Sequence, residues 1–136
     1  MFSVALPILI LPLAAAALSL SGCAAPTAGG SSLLAETRWR FTAIDGAPSV
    51  SPVAHLEFHS DRIGANVGCN GMGGPWRIEH GRLIAGPLVS TEMWCEGKME
   101  QERAVSALLV AAPEIKVGAA HMKLTSGGHS AELVSE

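Results

Sequence analysis

Three side chains at alternate positions, His55, Glu57 and His59, offer two imidazoles and a carboxylate on one side of an extended segment, a donor set that suits zinc. The other side of the same segment argues against that chemistry. Ala54, Leu56 and Phe58 fall together there and belong in a core, which turns the three polar groups toward water. One strand does not wrap an ion and no fourth ligand is evident, so no metal and no cofactor is expected. Ser90-Thr91 supplies hydroxyls near Cys95 without a G-x-S-x-G elbow or an ordered base. Gly71-Met72-Gly73-Gly74 lacks a following lysine and does not open a helix, so it is not a phosphate loop. His80, His121 and His129 are scattered in or near turns. With no nucleophile, base and orienting group in one set, no catalytic residue is assigned. Asn70 is the more specific candidate. Asparagine tolerates left-handed backbone and bonds its neighbours, and a structural turn is its expected role.

The remaining chemistry is that of three cysteines, Cys23, Cys69 and Cys95. Cys23 closes Leu20-Ser21-Gly22-Cys23, directly after a run from Val4 to Leu20 that is apolar or small apart from Ser19 and is interrupted by Pro7 and Pro12. A spanning helix needs about 20 predominantly apolar residues, so the run suits the core of an export signal better than an anchor. The tetrapeptide resembles the bacterial lipobox, which implies diacylglycerol on the Cys23 thiol and removal of residues 1–22. The leader departs from the usual pattern in carrying no Lys or Arg in Met1-Phe2-Ser3. Residues 23–35 are mostly small, polar, Pro or Gly and are expected to be a flexible tether. Ala24, by resemblance to Gram-negative sorting rules, points to the outer membrane, facing the periplasm.

If Cys23 carries lipid, Cys69 and Cys95 remain as an even pair in an oxidising compartment, and a structural disulfide is the economical reading. Two buried thiols and a redox couple, though without C-x-x-C, stay open beside it. A disulfide closing this loop contributes roughly 3–4 kcal/mol in the chain-entropy picture.

The chain is 49% apolar with a net charge of −3. Residues 1–22 contain no charged side chain, so the positive mean hydropathy of +0.34 belongs to the leader. The mild charge and the lack of a basic run give no reason to expect nucleic acid or an anionic lipid surface as partner. A monomer is expected.

Positioning falls to short strands. Trp39 to Ile44 alternates with period two, as do Val53 to His59 and the arm from Arg62 to Val67, with a turn at Ser60-Asp61. Gly68 to Pro75 is rich in glycine and is expected to be a tight turn or bulge. Strands follow near Trp76–Glu79 and Arg82–Ile84 around His80-Gly81, and an extended piece over Leu88 to Met93. A helix should begin near Gly97 and end before Pro113, with Ala104, Val105, Leu108, Leu109 and Ala112 as its apolar stripe and Glu100 and Glu102 near its amino end. Glu114–Val117, His121–Thr125 and Ala131–Val134 read as three further strands. One helix cannot supply the crossovers of a parallel sheet. The expected fold is α+β, a curved, mainly antiparallel sheet of about eight short strands with one helix packed across it.

Gly68-Cys69-Asn70 followed by Gly74-x-Trp76 resembles the G-C-N-x-x-x-G-x-aromatic segment of the META domain family, whose members include HslJ-type heat-shock lipoproteins. Pro87 to Cys95, through Thr91, Met93 and Cys95, resembles its T-x-M-x-C signature, and Met99 to Leu108 the helix that follows, with Glu102 at the acidic position. This places a META (HslJ-like) domain at 36–136, with Gly68, Asn70, Gly71, Gly74, Trp76, Thr91 and Met93 as structural motif residues. The sequence departs from the pattern at Glu92, where a basic residue is common, at Trp76, where Tyr is frequent, and in Gly73-Gly74-Pro75. The resemblance implies a small envelope domain that is not an enzyme and serves stress tolerance or envelope maintenance through binding an envelope protein. The alternative is an inhibitor or regulator of a periplasmic protein, and a hydrolase is the remote one.

Overall fold

The structure, a computed structural model, describes residues 29–136. The export signal at 1–22, the lipid site Cys23 and the first part of the tether lie outside the described residues. Among the described residues no helix is long and apolar enough to cross a membrane.

Ten strands and two helices make up this part of the chain: α1 (Gly29–Leu34), β1 (Thr37–Ile44), β2 (Ala47–Pro48), β3 (His55–Phe58), β4 (Arg62–Asn66), β5 (Gly71–Glu79), β6 (Arg82–Ala85), β7 (Val89–Ser90), α2 (Met99–Val110), β8 (Glu114–Val117), β9 (His121–Thr125) and β10 (Ser130–Ser135). The period-two segments became strands because alternation buries one face. In β3, Leu56 and Phe58 are buried while His55 and Glu57 are not, and β9 buries Met122 and Leu124 alone. Asp45-Gly46 and His80-Gly81 have positive φ at both residues, the pattern of the two-residue hairpin turns they form.

The expected curved sheet is corrected to a closed barrel. Every pairing is antiparallel, and the ring runs β1-β3-β4-β5-β6-β8-β9-β10 and back to β1, with β2 and β7 outside it. Closure is made by β1 on β10, from Trp39 opposite Ser135 to Ile44 opposite Ala131, with an irregularity between Phe41 and Ala43. A bulge of this kind bends a strand, as a small ring requires. The β6–β8 seam is the thinnest part, with one paired position, Arg82 opposite Glu114, flanked by Leu83 N–H to Pro113 O and Ile115 N–H to Gly81 O. Closure leaves no long strand edge unpaired.

Phe41, Leu56, Phe58, Ile63, Leu83, Met122, Leu124 and Leu133 fill the interior. Trp76 packs edge-on against Phe58 with ring centres 4.8 Å apart and donates its indole N–H to His59 O. α2 buries Val105, Leu108 and Leu109, part of the expected stripe, and touches β6 on one side of the ring and β1 and β10 on the other. It therefore lies across one opening of the barrel.

Two further expectations are corrected. The tether was expected through residue 35, but the chain is helical from Gly29, Leu34 is buried, and Ser31 accepts the Ile78 amide. The folded part thus begins before residue 36. The small residues that favour a disordered chain in isolation are outweighed locally by an apolar site for Leu34 at the second opening. The glycine-rich stretch 68–75 is a turn only to Asn70, and from Gly71 it is strand β5. Its glycines permit close passage rather than a reversal: a Cβ on Gly74 would stand 2.3 Å from Pro87 O, and one on Gly73 2.9 Å from Ile63 O.

Candidate functional site

The turn before β5 carries a dense network of hydrogen bonds and a disulfide. Gly68 adopts φ +114, and a Cβ there would meet Ser51 at 2.7 Å, so this position requires glycine. The turn carries Cys69 to the loop after β7, where it joins Cys95 in a disulfide with Cα atoms 5.8 Å apart. Between the cysteines stands Asn70, 2% exposed. Its Oδ1 accepts from the Thr91 hydroxyl (2.9 Å) and the Met93 amide (2.7 Å), and its Nδ2 donates to Met93 O (2.9 Å) and Glu102 Oε1 (2.7 Å). The Asn70 amide donates to Glu102 Oε2 (2.8 Å), and the Thr91 hydroxyl accepts the Gly71 amide. An asparagine side chain has two donor hydrogens and two acceptor lone pairs, and all four are engaged. Nothing on Asn70 remains to hold or activate a substrate. Its chemistry is to position the 91–95 segment.

Glu102 is 7% exposed. Its carboxylate is met by two N–H donors of Asn70 and sits in the first turn of α2, where the helix dipole favours negative charge. Gln101 ties the same turn to the end of β2 by donating to Pro48 O and to the loop after it by accepting the Val50 amide, and Lys98 Nζ donates to Gly68 O. Sequence reasoning put Glu102 at the acidic position of the helix without finding its partner, and it missed Ser51, Lys98 and Gln101. The available signal was a polar residue beside an apolar stripe, which does not say what it faces.

The expected motif residues divide into two groups. Gly68, Asn70, Gly71, Thr91 and Met93 converge with the disulfide. Gly74 and Trp76 lie further along β5, where Gly74 passes the 87–88 backbone and Trp76 enters the core. What the network holds outward is a ledge of Val89, Met93 and Trp94, all exposed, with Trp94 at 72%. The Arg103 guanidinium stands 5.9 Å from the centre of the Trp94 ring, within the range of a cation–π contact.

The other polar groups are arranged differently. Glu57 lies 3.5 Å from His55 Nε2 and 3.4 Å from His59 Nε2, and it also pairs with Arg38, which donates its Nε to Glu136. This is a polar strip on the outer face of β3, with Arg38 as its cation. Among the described residues no group of three or more His, Cys, Asp or Glu is placed to hold a metal ion. The Ser90 hydroxyl donates to Thr91 O. His129 Nδ1 lies 2.8 Å from Asp45 Oδ2 and the Ser130 amide donates to Oδ1. Those two contacts, the His129 hydrogen bond first, hold the Asp45 carboxyl below its ordinary value.

A concavity of about 750 Å³ occupies the opening opposite α2. Leu34, Trp39, Ile78, Ile115 and Val117 supply apolar lining, while Glu36, Arg38 and Glu136 add charge. Gly71 and Ile78 are seven residues apart on β5, so about 23 Å of strand separates this groove from the Asn70 turn.

Comparison with known proteins gives a family and a fold. The META domain profile matches residues 32–136. No curated protein matches significantly. One NMR structure superposes with a TM-score of 0.68 at 20% identity, covering 76% of this chain and 92% of its own. Another, of a protein from Burkholderia xenovorans, gives 0.64 at 22% identity, covering 85% and 94%. At such identities the likeness concerns fold alone.

Proposed function

The chain belongs to the META domain family, and on that premise we propose that it serves the cell envelope as a non-enzymatic, lipid-anchored domain of the HslJ type. It is held by Cys23 at the outer membrane facing the periplasm, and it contributes to stress tolerance or envelope maintenance by binding an envelope protein. The observation that carries this reading is the ledge. Val89, Met93 and Trp94 are exposed apolar side chains on a segment that a buried network and a disulfide pin in place. Large apolar groups kept rigid at the surface lose little entropy on association, and tryptophan and arginine are the side chains most often found where binding energy concentrates.

A photocrosslinking amino acid at position 94, set against one at Lys123, tests the reading in intact cells. The reading expects a discrete adduct from position 94 and none from position 123. Equal, diffuse labelling at both would remove the ledge as a binding surface. Deletion of the gene followed by heat or membrane-active drugs tests the stress role, which indistinguishable survival would dismiss. The same ledge also suits the inhibitor reading, because Trp94 stands clear of the fold with Arg103 beside it. That reading holds if the adduct is an envelope enzyme whose activity falls on binding.

A further inference from the structure

The barrel opening beneath α1 combines features that the ledge lacks. α1 turns consecutive leucines opposite ways: Leu34 enters the core while Leu33 is 80% exposed. Val117, at the end of β8, is also exposed and shares the rim of the same groove. The chain reaches this rim from the amino-terminal side. Cys23 precedes Gly29 by six residues, and six residues span at most about 22 Å. Whatever path they take, a lipid on Cys23 keeps α1 close to the bilayer surface. The Asn70 turn lies about 23 Å of β5 from this rim.

We infer that the α1 end of the barrel is the membrane-facing end, with Leu33 and Val117 seated in the headgroup boundary of a phospholipid bilayer and the ledge turned away from it. The inference deepens the proposed function and rests on its lipid anchor. Apolar side chains around a rim enter the interface by burying area there. Charge does not draw the groove to anionic lipid, because its charged lining is Glu36, Glu136 and Arg38, two carboxylates to one guanidinium. Seating should therefore not require anionic lipid. It also gives the anchor an orientation that the lipid alone lacks, since an acyl chain on a tether restrains distance and not rotation.

The test uses the mature lipidated protein in vesicles of phosphatidylethanolamine and phosphatidylglycerol, carrying an environment-sensitive fluorophore on Leu33→Cys, Val117→Cys or Trp94→Cys. The intact Cys69–Cys95 bridge is verified by mass in each. The expected result is a blue shift and quenching by lipids brominated near the headgroup at positions 33 and 117, but not at 94, unchanged when phosphatidylcholine replaces phosphatidylglycerol. Acylated protein with positions 33 and 117 as water-exposed as 94 overturns the inference and leaves the anchor standing. A shift that appears without vesicles and grows with protein concentration overturns it in favour of a second copy of the chain. A chain that takes up no radioactive palmitate removes the anchor and this inference together, and Cys23→Ser supplies the blank for that measurement.

Discussion

At the α2 end of the barrel, every hydrogen-bonding position of Asn70 is taken, a carboxylate is buried against it, and a disulfide closes the loop around it. At the α1 end the lining is largely apolar, one leucine is buried beside another left in solvent, and a groove stays open. The first end spends polar satisfaction on holding a short segment in one shape. The second is held mainly by apolar burial, with Ser31 on the Ile78 amide beside it, and apolar burial is nondirectional and tolerates a change of environment. Rigid polar networks fix surfaces that must keep their shape, while apolar rims suit a fluid neighbour.

If that contrast is right, the largest effect comes from Asn70→Ala. It removes the Nδ2 donor to Glu102 Oε1, leaving that carboxylate the Asn70 backbone amide, and it unpairs the Met93 amide and the Thr91 hydroxyl. Losing several such buried hydrogen bonds costs about 3–5 kcal/mol in all. Denaturant unfolding should show a lower midpoint with an unchanged slope. A loss within error would mean that water or Lys98 replaces Asn70 and that the α2 end is less specialised than described.

Removing the bridge in a Cys69→Ala/Cys95→Ala variant should cost roughly 2–4 kcal/mol. Mass spectrometry of native protein after alkylation without reductant should find no free thiol at either position. Two alkylated cysteines would leave the hydrogen bonds as the sole support of the 91–95 segment.

At the other end, Leu34→Ala should cost about 2 kcal/mol, the low end for a buried leucine, because the groove beside it lets the site relax. Hydrogen exchange should rise in residues 29–36 and leave the Asn70 amide protected. Exchange rising equally at both ends would erase the proposed independence.

The smallest effect is that of Asp45→Asn, also on the α2 side. The Asp45 carboxyl is held below its ordinary value of 3.8 by His129 and the Ser130 amide. Its contribution is therefore present above about pH 4 and is lost as pH falls through the lowered folded value. Because the pair is partly exposed, the wild-type advantage should be under about 1 kcal/mol. Paired unfolding curves at decreasing pH should converge in acid, and an advantage that persists below the lowered value would assign it to packing.

Strand faces were legible where alternation was unbroken. Leu56 and Phe58 in β3 and the Val105, Leu108 and Leu109 stripe of α2 are buried as their spacing requires. The glycine-rich start of β5 was not, because glycine has no side chain to alternate and its role is set by what passes beside it. The start of the folded part was also hidden, since nothing in Gly29 to Leu34 announces that a hydrophobic site awaits Leu34.

The sequence by itself determined which strand and helix residues face inward and where the hairpins turn, because those properties depend on neighbours a few positions away. Only the tertiary structure decided that the sheet closes, through β1 on β10, and that Asn70 meets Glu102, 32 positions along the chain. Alternation states which face of a strand is buried and is silent on which edges meet. That choice is made by the whole ring, when the closing pair offers backbone partners and a filled interior at once.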